Sequence, residues 1–322
     1  MKLLKMTVAS LAMVLVALGV RAQTPQEAAD AYSAAGEKIK TRSFVEAIPM
    51  LEEAISIGEQ AGEGADEIVR EAKKMLPGIY FYAGGSLIQG QKPEEAIKYF
   101  EKAVTLAQEQ EDVRVLGQAK EWVARTYVAM GANAFNSKDY KAAAEIFQKG
   151  YDVNPDNPEL SLFLAQSYAE MKEYEKAYDA FRGVLALEQH GEKYKAQVAD
   201  AKTKMAYYML INANDIASAQ PAQAIEILSE SVGIVEDPQA YMLLLQTANN
   251  SKNYNKVIEF GDKAATAQTD AALKSTAYFF VGAAYDNKGD QAKAIENYKK
   301  VTAGPNVAAA KSQIAAIQAS QG

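Results

Sequence analysis

Residues 158–191 read PELSLFLAQSYAEMKEYEKAYDAFRGVLALEQHG, and the spacing of their apolar and small residues decides the fold. Four residues of the second half follow steps of three, four and three: Tyr174, Ala177, Phe181 and Val184. Residues three and four apart lie on one face of an α-helix, so this half predicts an amphipathic helix. The first half, with Leu164, Ala165 and Tyr168, predicts a partner helix just upstream.

The same spacing recurs along the chain. Its seven copies begin at Phe44, Pro93, Tyr140, Tyr174, Pro221, Tyr254 and Gln291. The residue three positions after each start is Ala, or Val in one case. From one copy to the next, these residues are 49, 47, 34, 47, 33 and 37 positions apart. A helix pair of this kind cannot bury its apolar face alone, so the recurrence predicts a stack of neighbouring pairs.

This pattern resembles the tetratricopeptide repeat family, whose first helix carries an aromatic residue, Leu, Gly and Tyr, and whose second carries Ala, Phe and a closing Pro. The resemblance implies an all-α fold, a right-handed superhelical solenoid of about seven helix-turn-helix repeats, some with elongated helices. The repeats are expected near residues 28–59, 77–108, 124–157, 158–191, 205–236, 238–271 and 275–306, with a capping helix at 307–319. A plain helical bundle is the alternative fold.

Several spacings exceed the 34 residues of the family, and the extra residues fall in 58–74, 108–121 and 187–204. These stretches are rich in Ala, Glu, Lys and Gln, which favour helix, so we expect longer helices there. Pro77 should kink or break one of these helices. Gly84 matches the glycine that the family uses for close helix packing.

The first 22 residues have the layout of a secretory signal peptide. Lys2 and Lys5 give a positive start, an apolar stretch follows, and Ala22 precedes an expected cut ahead of Gln23. The apolar stretch of roughly 15 residues is shorter than a spanning helix needs, which favours cleavage over an uncleaved anchor. Residues 23–322 would then form the mature chain, with no membrane-spanning segment.

The charge balance bears on the partners of the chain. The chain has 34 Lys and Arg residues, 41 Asp and Glu residues and no cysteine. Three of the basic residues lie in the predicted signal peptide, which leaves 31 against 41 and a net charge of −10 in the mature chain. Such a surface repels phosphate backbones, so we expect no nucleic-acid partner. Without a cysteine for a lipid anchor, we expect a periplasmic or secreted protein.

The sequence shows no constellation of catalytic residues. His190 is the only histidine, and a lone histidine without cysteine cannot make a typical zinc site. Asp152, Asn154 and Asp156 begin like a calcium loop, but the Gly and Glu that the loop requires are missing. We therefore predict a non-enzymatic protein, with no catalytic residue, metal or cofactor.

An apolar stripe remains as the candidate binding site. In the family, two first-helix positions seven residues apart tend to face a concave groove. The apolar residues at these positions are Tyr32, Ile39, Phe81, Ile88, Val128, Phe135, Leu162, Met209, Ile216, Met242 and Phe279. Asn249 and Asp286 make the far end polar. Such a stripe suits an amphipathic helix or an extended apolar segment of a partner. Alternatively, the longer helices bury these residues against the next repeat.

These observations favour an interaction scaffold of the bacterial cell envelope, which binds a protein or peptide segment in its groove. Two other functions stay open. One is a structural component that self-associates through its end repeats. The other is a small-ligand or enzyme pocket inside the superhelix.

Overall fold

The computed structural model describes residues 23–320, so the predicted signal peptide lies outside the described residues. Within them the chain folds into fifteen α-helices and no strand, which confirms the all-α prediction. The helices are α1 (Pro25–Lys40), α2 (Phe44–Ala61), α3 (Asp66–Gln89), α4 (Pro93–Glu109), α5 (Val113–Asn136), α6 (Tyr140–Val153), α7 (Pro158–Glu170), α8 (Tyr174–Leu185), α9 (Lys195–Ile216), α10 (Pro221–Ile234), α11 (Pro238–Asn250), α12 (Tyr254–Ala267), α13 (Ala271–Asn287), α14 (Gln291–Lys299) and α15 (Val307–Ala319). A 3-10 helix, Ala186–Tyr194, joins α8 to α9.

The helices follow one another as seven pairs and a final single helix, in the repeat arrangement expected. Three first helices, α3, α5 and α9, are the elongated ones, with 24, 24 and 22 residues. No helix among residues 23–320 combines the length and the apolar character that crossing a membrane requires.

One kind of turn closes six of the seven pairs. It contains a residue with φ between 58° and 81°: Arg42, Gln91, Lys138, Lys172, Lys252 or Gly289. In each case the N–H of the next residue donates to the carbonyl five residues earlier, at 2.7–3.0 Å. This is the Schellman arrangement, which satisfies carbonyl groups that the end of a helix would otherwise leave open.

The chain divides into two compact units. Unit 1 comprises the described residues up to Asn133 together with Gln148–Asn157, and unit 2 comprises Ala134–Phe147 and the chain from Pro158 onward. In unit 1 a core of α1, α2 and α3 buries the apolar residues Ala35, Ala47, Ile48, Leu51, Ala72, Leu76, Ile79 and Ala83. The small alanines of the repeat spacing are fully buried, because they lie where neighbouring helices approach closely.

Helix α3 continues through Pro77, so the break that the sequence allowed there does not occur. Proline has no N–H, and the carbonyl of Lys73 one turn earlier therefore loses its helical partner. The side-chain amide of Gln110, at the end of α4, donates to that carbonyl at 2.8 Å. A polar side chain from the next helix thus compensates for the bond that Pro77 removes.

Unit 2 has a larger core that extends over α7 to α13. Its largest fully buried side chains include Phe181, Met205, Met209, Leu228 and Tyr241. The last helix, α15, packs Ala310 and Ile317 into a separate cluster with Tyr298 and Val301. Each of these clusters joins residues of several helices, as expected of stacked pairs whose apolar faces cannot be buried alone.

Candidate partner-binding surfaces

In unit 1, one face of α1 carries two large apolar side chains with a gap between them. Tyr32, Gly36 and Ile39 are four and three residues apart, so they lie on the same helix face. Tyr32 and Ile39 are half-buried and pack against the core, and the Tyr32 hydroxyl lies 3.3 Å from the sulfur of Met75. A Cβ atom at Gly36 would have no described atom within 4 Å apart from its chain neighbours and the backbone of its own helix.

Helix α3 repeats this arrangement with Phe81, Gly85 and Ile88. The Phe81 ring lies 5.9 Å from the Phe100 ring and is half-buried. Its neighbour Tyr82 is 48% exposed, which is unusual for a large aromatic residue in this chain. A Cβ atom at Gly85 would again have no described atom within 4 Å apart from its chain neighbours and the backbone of its own helix.

Gly84, directly before Gly85, differs from Gly36 and Gly85 in its surroundings. A Cβ atom at Gly84 would lie 2.7 Å from the ring of Phe100, so this glycine is needed for packing, as its match to the family implied. A glycine inside a helix costs about 0.5–1 kcal/mol relative to alanine. At Gly84 the contact with Phe100 offsets that cost, whereas no contact in residues 23–320 offsets it at Gly36 or Gly85.

The two gaps belong to neighbouring helices, because α1 and α3 contact each other. Together they form a surface that we call the notched face, made of Tyr32, Gly36, Ile39, Phe81, Gly85 and Ile88. A partner could approach the backbone closely at each glycine while its apolar side chains contact the larger residues. The arrangement therefore suits the binding of an apolar segment.

Tyrosine–glutamate hydrogen bonds hold the first helices of unit 1 in place. The hydroxyl of Tyr80 on α3 donates to Glu52 on α2 at 2.6 Å, and Tyr127 on α5 donates to Glu101 on α4 at 2.8 Å. Burial, with the nearby carboxylate, raises the pKa of both hydroxyls well above the usual range. Val128, the next predicted contact residue, is half-buried beside Tyr127.

In unit 2, two of the predicted contact residues lie in the core. Leu162 is 8% exposed and Met209 is fully buried, so a partner cannot reach either side chain while the helices stay packed. The other four are half-buried: Phe135, Ile216, Met242 and Phe279. Of these, Phe135 packs its ring against Phe163 and Tyr140, at 6.0 and 5.2 Å. Binding by these residues stays a prediction.

Unit 2 also contains a cavity of about 500 Å³ that residues of α9, α10 and α11 line. Asn214 of α9 and Gln246 and Asn250 of α11 line it, and all three are exposed. Leu243, one turn before Gln246, adds an apolar side chain to its wall. None of its lining residues carries a charge, in a chain of which 23% is charged.

The sequence reasoning missed these glycines and amides because it followed apolar residues only. Each of three missed residues lies four positions after a predicted contact residue, on the same helix face: Gly36, Gly85 and Gln246. Reading that next position in every repeat would have found them. His190, the only histidine, is exposed and lies edge-on to Tyr194 at 6.0 Å.

Comparison with solved structures finds several tetratricopeptide proteins. MamA from Desulfovibrio magneticus is 19% identical, with 56% of this chain and 93% of that one covered at a TM-score of 0.34. YrrB, described as a tetratricopeptide protein with an unusual peptide-binding site, is 18% identical, with 63% and 90% covered at a TM-score of 0.34. PilF from Pseudomonas aeruginosa is 15% identical, with 77% and 99% covered at a TM-score of 0.32. No curated protein sequence matches the chain.

Family models give a more local match. One tetratricopeptide-repeat model matches residues 134–201, and a second matches residues 78–110 and 275–303. These stretches include the second half of α3 with α4, the pair α7 and α8, and most of α13 with α14. The chain therefore contains tetratricopeptide repeats, a helical scaffold fold of the kind used for protein–protein interaction.

Proposed function

We propose that this chain is an exported, non-enzymatic scaffold of the bacterial cell envelope, which binds a segment of a partner protein on its first helices. The notched face of unit 1 carries the proposal. Gly36 and Gly85 weaken their helices and face open space, and each lies between large, half-buried apolar residues. A binding surface explains this combination, because close approach of a partner requires the missing side chains.

The bound segment would be the apolar face of an amphipathic helix or a short extended apolar stretch. Its side chains would insert at the glycines, much as one helix packs into the gaps of another. Tyr32, Ile39, Phe81 and Ile88 already pack against their own unit, so little side-chain freedom would be lost on binding.

Filling a gap tests the proposal directly. Gly85→Leu adds a large side chain at a position where a Cβ atom meets no neighbouring helix within 4 Å, and it replaces a poor helix former with a good one. We expect its stability to be unchanged or raised, and capture of partner proteins from cross-linked cell envelopes to be lost. Circular dichroism melting measures the first effect, and affinity capture with mass spectrometry measures the second.

A matched control exists in the same unit. Gly117 lies in α5, is exposed, and would also place a Cβ atom in open space. Gly117→Leu should therefore raise helix propensity equally and leave capture intact. Capture of the same proteins by Gly85→Leu and Gly117→Leu would exclude the notched face as the binding surface.

Export is the second part of the proposal, supported by the signal-peptide layout of residues 1–22. We expect the protein from fractionated cells to begin at Gln23 and to be recovered with the periplasm or the medium. N-terminal sequencing of each fraction tests this. A chain that retains Met1 and stays with the cytoplasm would contradict it.

A further inference from the structure

We propose that Met75 on α3 is a modification site, at which a peroxide oxidises the thioether to a sulfoxide and thereby loosens the contact of Tyr32 with α3 at the notched face. The inference rests on the proposed function in one respect, because it regulates the surface that we propose as the binding surface. It goes beyond that function, because it names a chemical signal to which the surface responds.

The first argument is the contact that joins Met75 to the notched face. The Tyr32 hydroxyl on α1 donates a hydrogen bond to the Met75 sulfur at 3.3 Å. Of the seven methionines in residues 23–320, Met75 alone accepts a hydrogen bond at its sulfur. A thioether is a weak acceptor. The position of the Tyr32 side chain therefore depends on the chemical state of this one sulfur atom.

The second argument is access. Met75 and Tyr82 are seven residues apart and so lie on the same face of α3, where Tyr82 is 48% exposed. Met75 itself is half-buried, whereas Met205 and Met209 are fully buried in the core of unit 2. A small oxidant therefore reaches Met75 more easily than the core methionines. The chain also has no cysteine that would compete for the oxidant.

The reaction is a two-electron oxidation by hydrogen peroxide. A lone pair of the Met75 sulfur attacks one peroxide oxygen, so that an S–O bond forms and the O–O bond breaks. The displaced hydroxide removes the proton from the transferred oxygen and leaves as water. The sulfur is thus oxidised and the peroxide is reduced. A methionine sulfoxide reductase can restore the thioether, which makes the modification reversible.

The added oxygen weakens the packing of Tyr32 against Met75 on either lone pair of the sulfur. On the lone pair that accepts the hydrogen bond, it would lie between the sulfur and the hydroxyl oxygen, and a separation of 3.3 Å leaves no room for a further atom. On the other lone pair, it makes polar a side chain that packs against the apolar core of unit 1. Oxidation therefore alters the notched face at Tyr32.

Peroxide treatment of the purified protein tests the modification without any partner. Peptide mass spectrometry should find Met75 oxidised at peroxide concentrations that leave Met205 and Met209 intact. The treatment should lower the midpoint of thermal unfolding by about 3 °C. Met75→Leu, which nearly conserves the side-chain volume, should remove this shift. Tyr32→Phe should reduce it, because the variant has no hydroxyl in contact with the sulfur.

The matched control is Met50→Leu. Met50 is half-buried and packs against the same core of unit 1, but its sulfur accepts no hydrogen bond from any described residue. This variant should keep the shift that Met75 causes. The inference is overturned if Met75 resists peroxide as long as Met205 does, or if Met75→Leu shows the same shift as the wild type. An undiminished shift in Tyr32→Phe would refute the coupling to the notched face.

Capture from cross-linked cell envelopes measures the effect on binding. We expect the oxidised wild type to capture about fivefold less of the partner proteins, and peroxide-treated Met75→Leu to capture as much as the untreated protein. If Gly85→Leu abolishes capture but oxidation of the wild type does not reduce it, the notched face is supported and its regulation is refuted. If Gly85→Leu and Gly117→Leu capture the same proteins, the proposed function fails, whereas the thermal shifts still decide whether Met75 is a modification site coupled to Tyr32.

Discussion

Unit 1 and unit 2 place different chemistry at the same position of the repeat. Four residues after the first predicted contact position, α1 and α3 have Gly36 and Gly85, whereas α11 has Gln246. The glycines leave apolar neighbours open, and the glutamine places an amide in a cavity. The helix pair sets the position, and the single residue there sets what can bind.

The largest expected effect is a loss of stability when a buried residue is shortened. It distinguishes the buried from the accessible residues among the predicted contact residues of unit 2. Met209 is fully buried, so Met209→Ala should lower the free energy of unfolding by about 3 kcal/mol. Met242 is half-buried, and Met242→Ala should cost about 1 kcal/mol. Urea unfolding followed by circular dichroism measures both. Equal losses would mean that burial does not distinguish the two positions.

The next effect concerns the open gaps of unit 1. Gly84→Ala brings a Cβ atom to 2.7 Å from the Phe100 ring and should destabilise the protein by about 2 kcal/mol. Gly85→Ala meets no described atom and should stabilise it by about 0.5 kcal/mol. Thermal melting of the two variants gives the comparison. If Gly85→Ala also destabilises, the gap is not open and the notched face loses its basis.

The free energy of unfolding should depend on pH through Tyr298 of unit 2. Burial, with the negative charge of Asp286, raises the pKa of the Tyr298 hydroxyl from 10.0 to about 12. The folded chain therefore keeps a proton that the unfolded chain loses. The stabilisation of the folded state by the protonated Tyr298 hydroxyl is complete below pH 10 and is lost as the pH rises toward 12.

The matching variant is Tyr298→Phe. It should make the fall of unfolding free energy above pH 10 less steep, by at most about 1 kcal/mol per pH unit after allowance for solvent screening. Urea unfolding at several pH values gives the slope. An unchanged slope would show that Tyr298 ionises equally in both states.

The smallest effect on stability is expected at the cavity that Asn214, Gln246 and Asn250 line. Gln246 is exposed, and its side-chain amide has no hydrogen-bond partner within the described residues, so Gln246→Leu should change the free energy of unfolding by less than about 0.5 kcal/mol. Chemical denaturation tests this. A loss above about 1 kcal/mol would show that Gln246 contributes to folding.

The repeat spacing was sufficient to predict the helices. Ala177 and Phe181 lie one turn apart, and such pairs identify the buried face without any knowledge of the neighbours. The turns were not predictable in the same way. Lys172 and Lys252 adopt the left-handed conformation without the glycine that usually signals it. At Pro77 the compensating Gln110 comes from another helix, so the local sequence alone predicted a disruption.

The candidate site was predictable as a face but not residue by residue. Repeat positions placed Phe81 and Met209 on equivalent sites, yet one is half-buried and the other is fully buried. That difference depends on the side chains of adjacent helices, which the repeat pattern does not specify. The glycines Gly36 and Gly85 and the amide of Gln246 were missed because the search for an apolar stripe considers only large apolar residues.

Site-specific photo-cross-linking in the native cell envelope tests the central claim most directly. A benzoylphenylalanine residue replaces the exposed Tyr82, which is next to Phe81 of the notched face, and, as a control, the exposed Gly117 on α5. Both glycine gaps stay open in the first variant, so we expect position 82 to yield one or two cross-linked partner proteins and position 117 to yield none of them. The same products from both positions, or no product from position 82, would contradict binding at the notched face.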